Sequence, residues 1–130
     1  MRCHSCSNQR LRYTRYCLHC YIMDCVRKTL DIKDKPTKER YTKQLLAKLE
    51  KQNYTCVYTA RVLVAGKNLS LDHILPKSVY PDGLRDLDNL VWVDKAVNIA
   101  KNNLLPSNFL ELCEDVVFHQ SKYLTKETSL

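Results

Sequence analysis

Two Cys-x-x-Cys knuckles near the N-terminus, Cys3-His4-Ser5-Cys6 and Cys17-Leu18-His19-Cys20, are separated by ten residues. That spacing lets four thiolates converge on one tetrahedral zinc ion. A stretch of about twenty residues cannot build a hydrophobic core of its own, so the ion supplies the folding energy that packing cannot. The competing arrangement is two disulfides. An odd total of seven cysteines, with no apolar leader at the start of the chain, argues instead for reduced thiols. If Cys3, Cys6, Cys17 and Cys20 all bind, no position is left for a reacting water and the zinc is structural. His4 and His19 lie inside the knuckles and are second choices as ligands. Cys25, Cys56 and Cys113 have no such partners and read as small buried thiols.

Charge is divided unevenly along the chain. Residues 1–68 hold 15 Lys and Arg against 5 acids, whereas residues 69–130 hold 6 against 9, within a net charge of +7. A basic N-terminal half can neutralise phosphates, and an acid-containing C-terminal half can hold a divalent cation. The plain alternative is an ordinary solvated surface with chance asymmetry. Between the knuckles, Arg10-Leu11-Arg12-Tyr13-Thr14-Arg15-Tyr16 interleaves cations with aromatics. Such a loop could lay arginine on phosphate and tyrosine on sugar or base, or the tyrosines could simply pack around the zinc. No stretch is apolar over the length a membrane span requires, and the expected location is cytoplasmic. At 130 residues the chain is one ordinary domain or a small domain with a satellite.

Residues 31–36 read as a charged linker ending in Pro36. Thr37 is the expected cap of a helix of about sixteen residues, with Tyr41, Leu45, Leu46 and Leu49 as its buried stripe and Lys38, Lys43, Lys48 and Lys51 on its remaining surface. Val57 to Ala65 and Leu69 to Ile74 are predicted strands, joined through Gly66-Lys67-Asn68. Strict alternation would put Leu69, Leu71 and His73 on one side and Ser70, Asp72 and Ile74 on the other, so the second strand must twist or end if Asp72 and His73 are to share a site. An irregular loop over 75–88, containing Pro81-Asp82-Gly83, leads to a last strand at 90–93. Asp94 then caps a helix that carries Asn98 and Lys101 on one face. Ser107 caps a final helix over 107–124, with Phe109, Leu112, Cys113, Val116 and Val117 expected to close the core and His119 at the surface.

The chemistry-bearing residues occur in a fixed order: Asp72-His73, Asn89, and Asn98 with Lys101 one turn later. Imidazole is a general base near neutral pH, and Asp72 and Asn98 offer oxygen ligands to a hard cation. This constellation, with the segment from Tyr54 to Leu104 that carries it, resembles the HNH endonucleases. Many phage members of that family also open with a small zinc ribbon.

The resemblance implies an α+β fold, a ββα-metal core at about 54–104 with an N-terminal four-cysteine zinc ribbon and flanking helices. It divides the chain into a ribbon and linker over 1–35 and a nuclease domain over 36–130. It implies hydrolysis of DNA with His73 as general base and one Mg²⁺ or Mn²⁺ held by Asp72 and Asn98. Asn89 is then the central asparagine that fixes the loop and aims the histidine. Many relatives carry histidine at the position of Asn98, and the amide oxygen here favours Mg²⁺ or Mn²⁺ over Zn²⁺ or Ni²⁺. The second structural zinc of many relatives lacks its downstream cysteines. Expected phosphate contacts are Arg10, Arg12, Arg15, Lys77, Lys95 and Lys101. The implied partner is double-stranded DNA, with a possible homodimer, no small-molecule cofactor, and a phage or mobile-element origin in a bacterial host. Two other classes stay open: a non-catalytic zinc-ribbon module that binds nucleic acid, and an adaptor that binds protein.

Overall fold

Cys17 belongs to the second knuckle and also opens a helix, α1 (Leu18–Thr29), in the computed structural model, which describes residues 1–119, 121, 123 and 124. Ile22 and Val26, one turn apart, are fully buried on its inner face, and Leu30 and Ile32 continue that apolar contact beyond it. The knuckle therefore runs straight into a core helix. The next helix, α2 (Lys35–Lys51), is capped one turn earlier than the sequence suggests. Asp34, rather than Thr37, is the cap, its carboxylate accepting from Thr37 N at 3.1 Å. Pro36 fits in the first turn, where its missing N–H has no intrahelical partner to lose. Leu45 and Leu49 are buried as expected, with Tyr41 and Leu46 partly so.

Two strands, β1 (Leu69–His73) and β2 (Leu90–Asp94), form an antiparallel pair in the register Leu69↔Asp94, Leu71↔Trp92 and His73↔Leu90. The expected strand over 57–65 does not form; only an isolated bridge joins Thr55 to Val62, and Val57 and Val62 are exposed. The chain turns on itself there instead, with Ala60 at φ 60° and Cys56 N donating to Arg61 O at 2.8 Å. The Gln52 side chain donates from Nε2 to Trp92 O at 2.9 Å and accepts from Trp92 N at 3.0 Å, so an amide just past α2 satisfies the outer edge of the strand. Trp92 itself is fully buried, and its indole N–H donates to Leu45 O at 2.8 Å.

Helix α3 (Lys95–Lys101) follows β2 directly. Its cap is Asp94, which accepts from Ala96 N at 2.9 Å and from Asn68 Nδ2 at 3.0 Å. The last helix, α4 (Pro106–His119), departs from the sequence expectation. Phe109 is its sole buried residue, set edge-on to Tyr58 with ring centroids 5.7 Å apart, whereas Leu112, Val116 and Val117 are exposed and so is Cys113. Only the first turn of α4 lies against the body, so the rest of its apolar stripe has no core to enter. Of the expected continuation to residue 124, positions 120 and 122 lie outside the described residues.

One core joins Val26 of α1, Leu45 of α2, Leu71 and Trp92 of the sheet, Val97 of α3 and Phe109 of α4, and so runs across position 35. The loop between the knuckles also meets the C-terminal part of the chain. Gly66, at φ +82°, lies so close to the Tyr13 carbonyl that any Cβ there would collide with it. Tyr21 of α1 donates to Leu69 O at 3.3 Å. Among the described residues no helix is long and apolar enough to cross a membrane.

Candidate active site and zinc centre

The sulfurs of Cys3, Cys6, Cys17 and Cys20 all lie within 4.8 Å of one another. Tetrahedral zinc with bonds of about 2.3 Å would set them about 3.8 Å apart, and Cys6 and Cys17 are already at 3.6 Å. The first knuckle turns back on itself through Cys3 N to Asn8 O at 2.7 Å, and His4 N donates to Arg15 O at 3.0 Å, which brings it against the second. Burial opposes ionisation of Cys3, but backbone donors from Cys17, Ser5 and Cys6 outweigh it and hold the thiol down to about 6. Cys20 moves the other way, pushed up by burial and by the three neighbouring sulfurs. Four crowded thiols of this kind ionise together only around a cation, and the donor set fits zinc. His4 and His19 are exposed.

The second site is built from the end of β1, the loop that follows it, and α3. Asn89 anchors that loop. It is buried, accepts from Leu75 N at 2.9 Å, and donates to Leu75 O and Gly83 O, both at 3.2 Å. Ile74 N donates to Asn89 O at 2.8 Å. Four further side chains, none of them assigned to this site by the sequence, hold the loop. Tyr80 donates to Asp86 Oδ2 at 2.8 Å and Tyr41 to Arg85 O at 2.8 Å. Arg85 donates to Leu30 O at 2.9 Å and Asp31 O at 2.6 Å, tying the loop to the end of α1. Lys48, expected at the surface, donates to Leu87 O and to Leu90 O. These bonds use general donors at scattered positions, so no sequence pattern marks them.

Gly83 is the one position in this loop where a side chain is excluded. An added Cβ would lie 2.7 Å from Asn89 Nδ2 and still closer to the Tyr80 ring. Gly83→Ala is therefore expected to break the hold of Asn89, lowering Tm by about 5 °C and disordering the 75–89 loop. Hydrogen exchange of the Leu75 amide measures this directly, and unchanged protection would contradict it.

Asp72, His73 and Asn98 line one cavity of about 500 Å³, together with Lys77, Tyr80 and Leu84. Strand alternation does not separate Asp72 from His73 because β1 ends at His73. The His73 ring nitrogen Nε2 lies 2.9 Å from Leu84 O. A carbonyl only accepts, so Nε2 carries a proton, and the tautomer that general-base chemistry uses has its lone pair on Nδ1. Asn98 is fixed by the same logic. Its Nδ2 donates to Ser70 Oγ at 2.7 Å and Leu71 O at 3.3 Å, which leaves the carbonyl Oδ1 as the free end. Asp72 is buried, and that burial pushes its carboxyl above the usual range despite the opposing charge of Lys101. Its Oδ2 has no hydrogen bond. A carboxylate and an open amide oxygen lining one cavity are a donor set suited to a hard divalent cation.

The family model for HNH endonucleases matches residues 56–107.

The HNH segment thus contains β1, the loop, β2, α3 and all four motif residues. Together with the four-cysteine cluster it gives the α+β architecture expected from the sequence, with a cluster consistent with a zinc ribbon. HNH nucleases are metal-dependent and act on nucleic acid, so the match supports a nuclease. No curated protein matches the chain. Within the HNH segment Lys77 and Lys95 are exposed, and in the ribbon Arg12 and Arg15 are exposed while Arg10 is half-buried. Arg12 and Lys67 both lie over the Tyr13 ring, at 5.3 and 5.4 Å. Lys101 corrects the sequence reading. Instead of reaching toward solvent phosphates it is 1% exposed, with Nζ 3.3 Å from Asp72 Oδ2 and 3.2 Å from His73 O. It lies one turn beyond Asn98 on α3, the same face that packs over Asp72.

Proposed function

We propose that the chain is a DNA endonuclease that hydrolyses phosphodiester bonds with His73 as general base. The observation that carries this reading is the convergence of Asp72, His73 and Asn98 on one cavity, with the imidazole held through Nε2 so that Nδ1 is free. His73 takes a proton from water, and the oxygen so activated attacks the phosphorus in line with the departing 3′ oxygen. Asn89 does no chemistry; it holds the loop whose Leu84 carbonyl orients the ring. Asp72 and Asn98 would hold one Mg²⁺ or Mn²⁺, which supplies charge neutralisation at a non-bridging oxygen and at the leaving oxygen.

In this reading residues 1–35 serve as the DNA-gripping module and 36–130 as the nuclease. Arg10, Arg12 and Arg15 on the ribbon, with Lys77 and Lys95, supply the contacts to the phosphate backbone. Each site cuts one strand per encounter, so double-strand cleavage requires a second copy or a second encounter. The resemblance to phage enzymes favours a phage or mobile-element role. Incubating supercoiled plasmid with the zinc-loaded protein and Mg²⁺ is expected to yield nicked circles whose ends carry 5′ phosphate and 3′ hydroxyl. DNA bound but left intact would instead support a non-catalytic binding module.

A further inference from the structure

Lys101 is buried to 1% exposure, and its ammonium touches two groups, Asp72 Oδ2 at 3.3 Å and the His73 carbonyl at 3.2 Å. Lysine is almost never buried so fully without a partner, and a stable buried ion pair normally satisfies its remaining lone pairs by hydrogen bonding. Here Lys101 Nζ, at 3.3 Å, is the one group set against Asp72 Oδ2 among the described residues, at a distance and angle short of a well-formed hydrogen bond. The contact is a loose ion pair, made by a compact charge on a flexible four-carbon stem.

A divalent cation bound to that oxygen would lie about 2.0–2.6 Å from it, inside the shell that the ammonium occupies. Two cations so close in a site of low dielectric repel strongly. We propose that Lys101 is an internal counter-ion that holds Asp72 in the metal-free protein and is displaced when a divalent ion binds, so that this one side chain sets the affinity of the site. Lys101 is a positioning residue in this account. It keeps a buried carboxylate in place before loading, and the same ammonium donates to His73 O at the end of β1.

The proposal rests on the assignment of the cation to Asp72, and the test separates the two. Mn²⁺ binding to zinc-loaded protein is followed by the electron-paramagnetic-resonance signal of the free ion, without DNA. Wild type is expected to bind and Asp72→Asn to lose binding; binding that survives Asp72→Asn overturns both readings. Lys101→Met, which keeps the length and removes the charge, is expected to bind Mn²⁺ about tenfold more tightly or better. Lys101→Arg keeps the charge and should stay within about threefold of wild type. Binding that requires Asp72 but is unchanged or weaker in Lys101→Met overturns the counter-ion role and leaves the metal assignment intact. Should Lys101→Met not fold, wild type decides the matter. The Lys101 Cε and Nζ resonances must then shift on Mg²⁺ titration with the midpoint of binding, and resonances that stay in place overturn the displacement.

Discussion

His73→Ala is expected to slow DNA cleavage by about 10²–10⁴-fold, the range typical for loss of a general base. The imidazole is half-buried at the end of β1, and among the described residues its hydrogen bond is to Leu84 O. The fold around it is held by other groups, chiefly Asn89, Arg85 and Lys48. Removing the ring should therefore leave Tm and DNA affinity nearly unchanged while the chemical step fails. Single-turnover cleavage of a labelled duplex, with affinity measured in parallel, tests this. Retention of more than about a third of wild-type activity would remove His73 from the mechanism, and a matching loss of affinity would show that it binds DNA instead.

Cys17→Ser should produce the largest loss of stability. Cys17 supplies one of four clustered sulfurs and is also the residue that begins α1, whose Ile22 and Val26 are fully buried in the common core. Structural zinc contributes about 10–16 kcal/mol in isolated finger peptides, far more than a cap or a surface ion pair. Zinc content is expected to fall from about one per chain toward zero, with Tm lower by more than about 10 °C. DNA binding should weaken more than the chemical step slows, because the exposed Arg12 and Arg15 belong to the same knuckled loop. Elemental analysis that finds no zinc in wild type, or a variant that keeps its zinc and its Tm, would contradict the account of this centre.

Where chemistry demands particular side chains in order, the sequence is legible: the two knuckles, Asp72-His73, Asn89 and Asn98 all stand out, and the structure brings each set together. Legibility fails where burial or pairing is decided by distant partners. Val57 to Ala65 has the composition of a strand, yet the chain turns back at Ala60, where Cys56 N closes on Arg61 O. Helix α1 is hidden because its first turn belongs to a zinc knuckle, although Ile22 and Val26 carry the helical spacing. In α4 the apolar stripe is real, but among the described residues only Phe109 of that stripe is buried. Lys101 and Lys48 look like surface cations in one dimension, and tertiary packing places both against backbone carbonyls instead. Periodicity reports which face is apolar and cannot report what will cover it.

Chelation followed by selective metal return tests the central claim most directly. Asp72 and Asn98 offer few protein ligands to a hard cation that exchanges freely, whereas four thiolates release zinc slowly. Cleavage of plasmid by the zinc-loaded protein should stop within seconds of adding modest EDTA, with zinc content unchanged over the same interval, and should return fully on adding excess Mg²⁺ or Mn²⁺ alone. Asp72→Ala and Asn98→Ala should show no comparable recovery while retaining their zinc. Recovery that demands Zn²⁺, or an Asn98→Ala protein as active as wild type at low Mg²⁺, would show that the catalytic cation is not held at these residues.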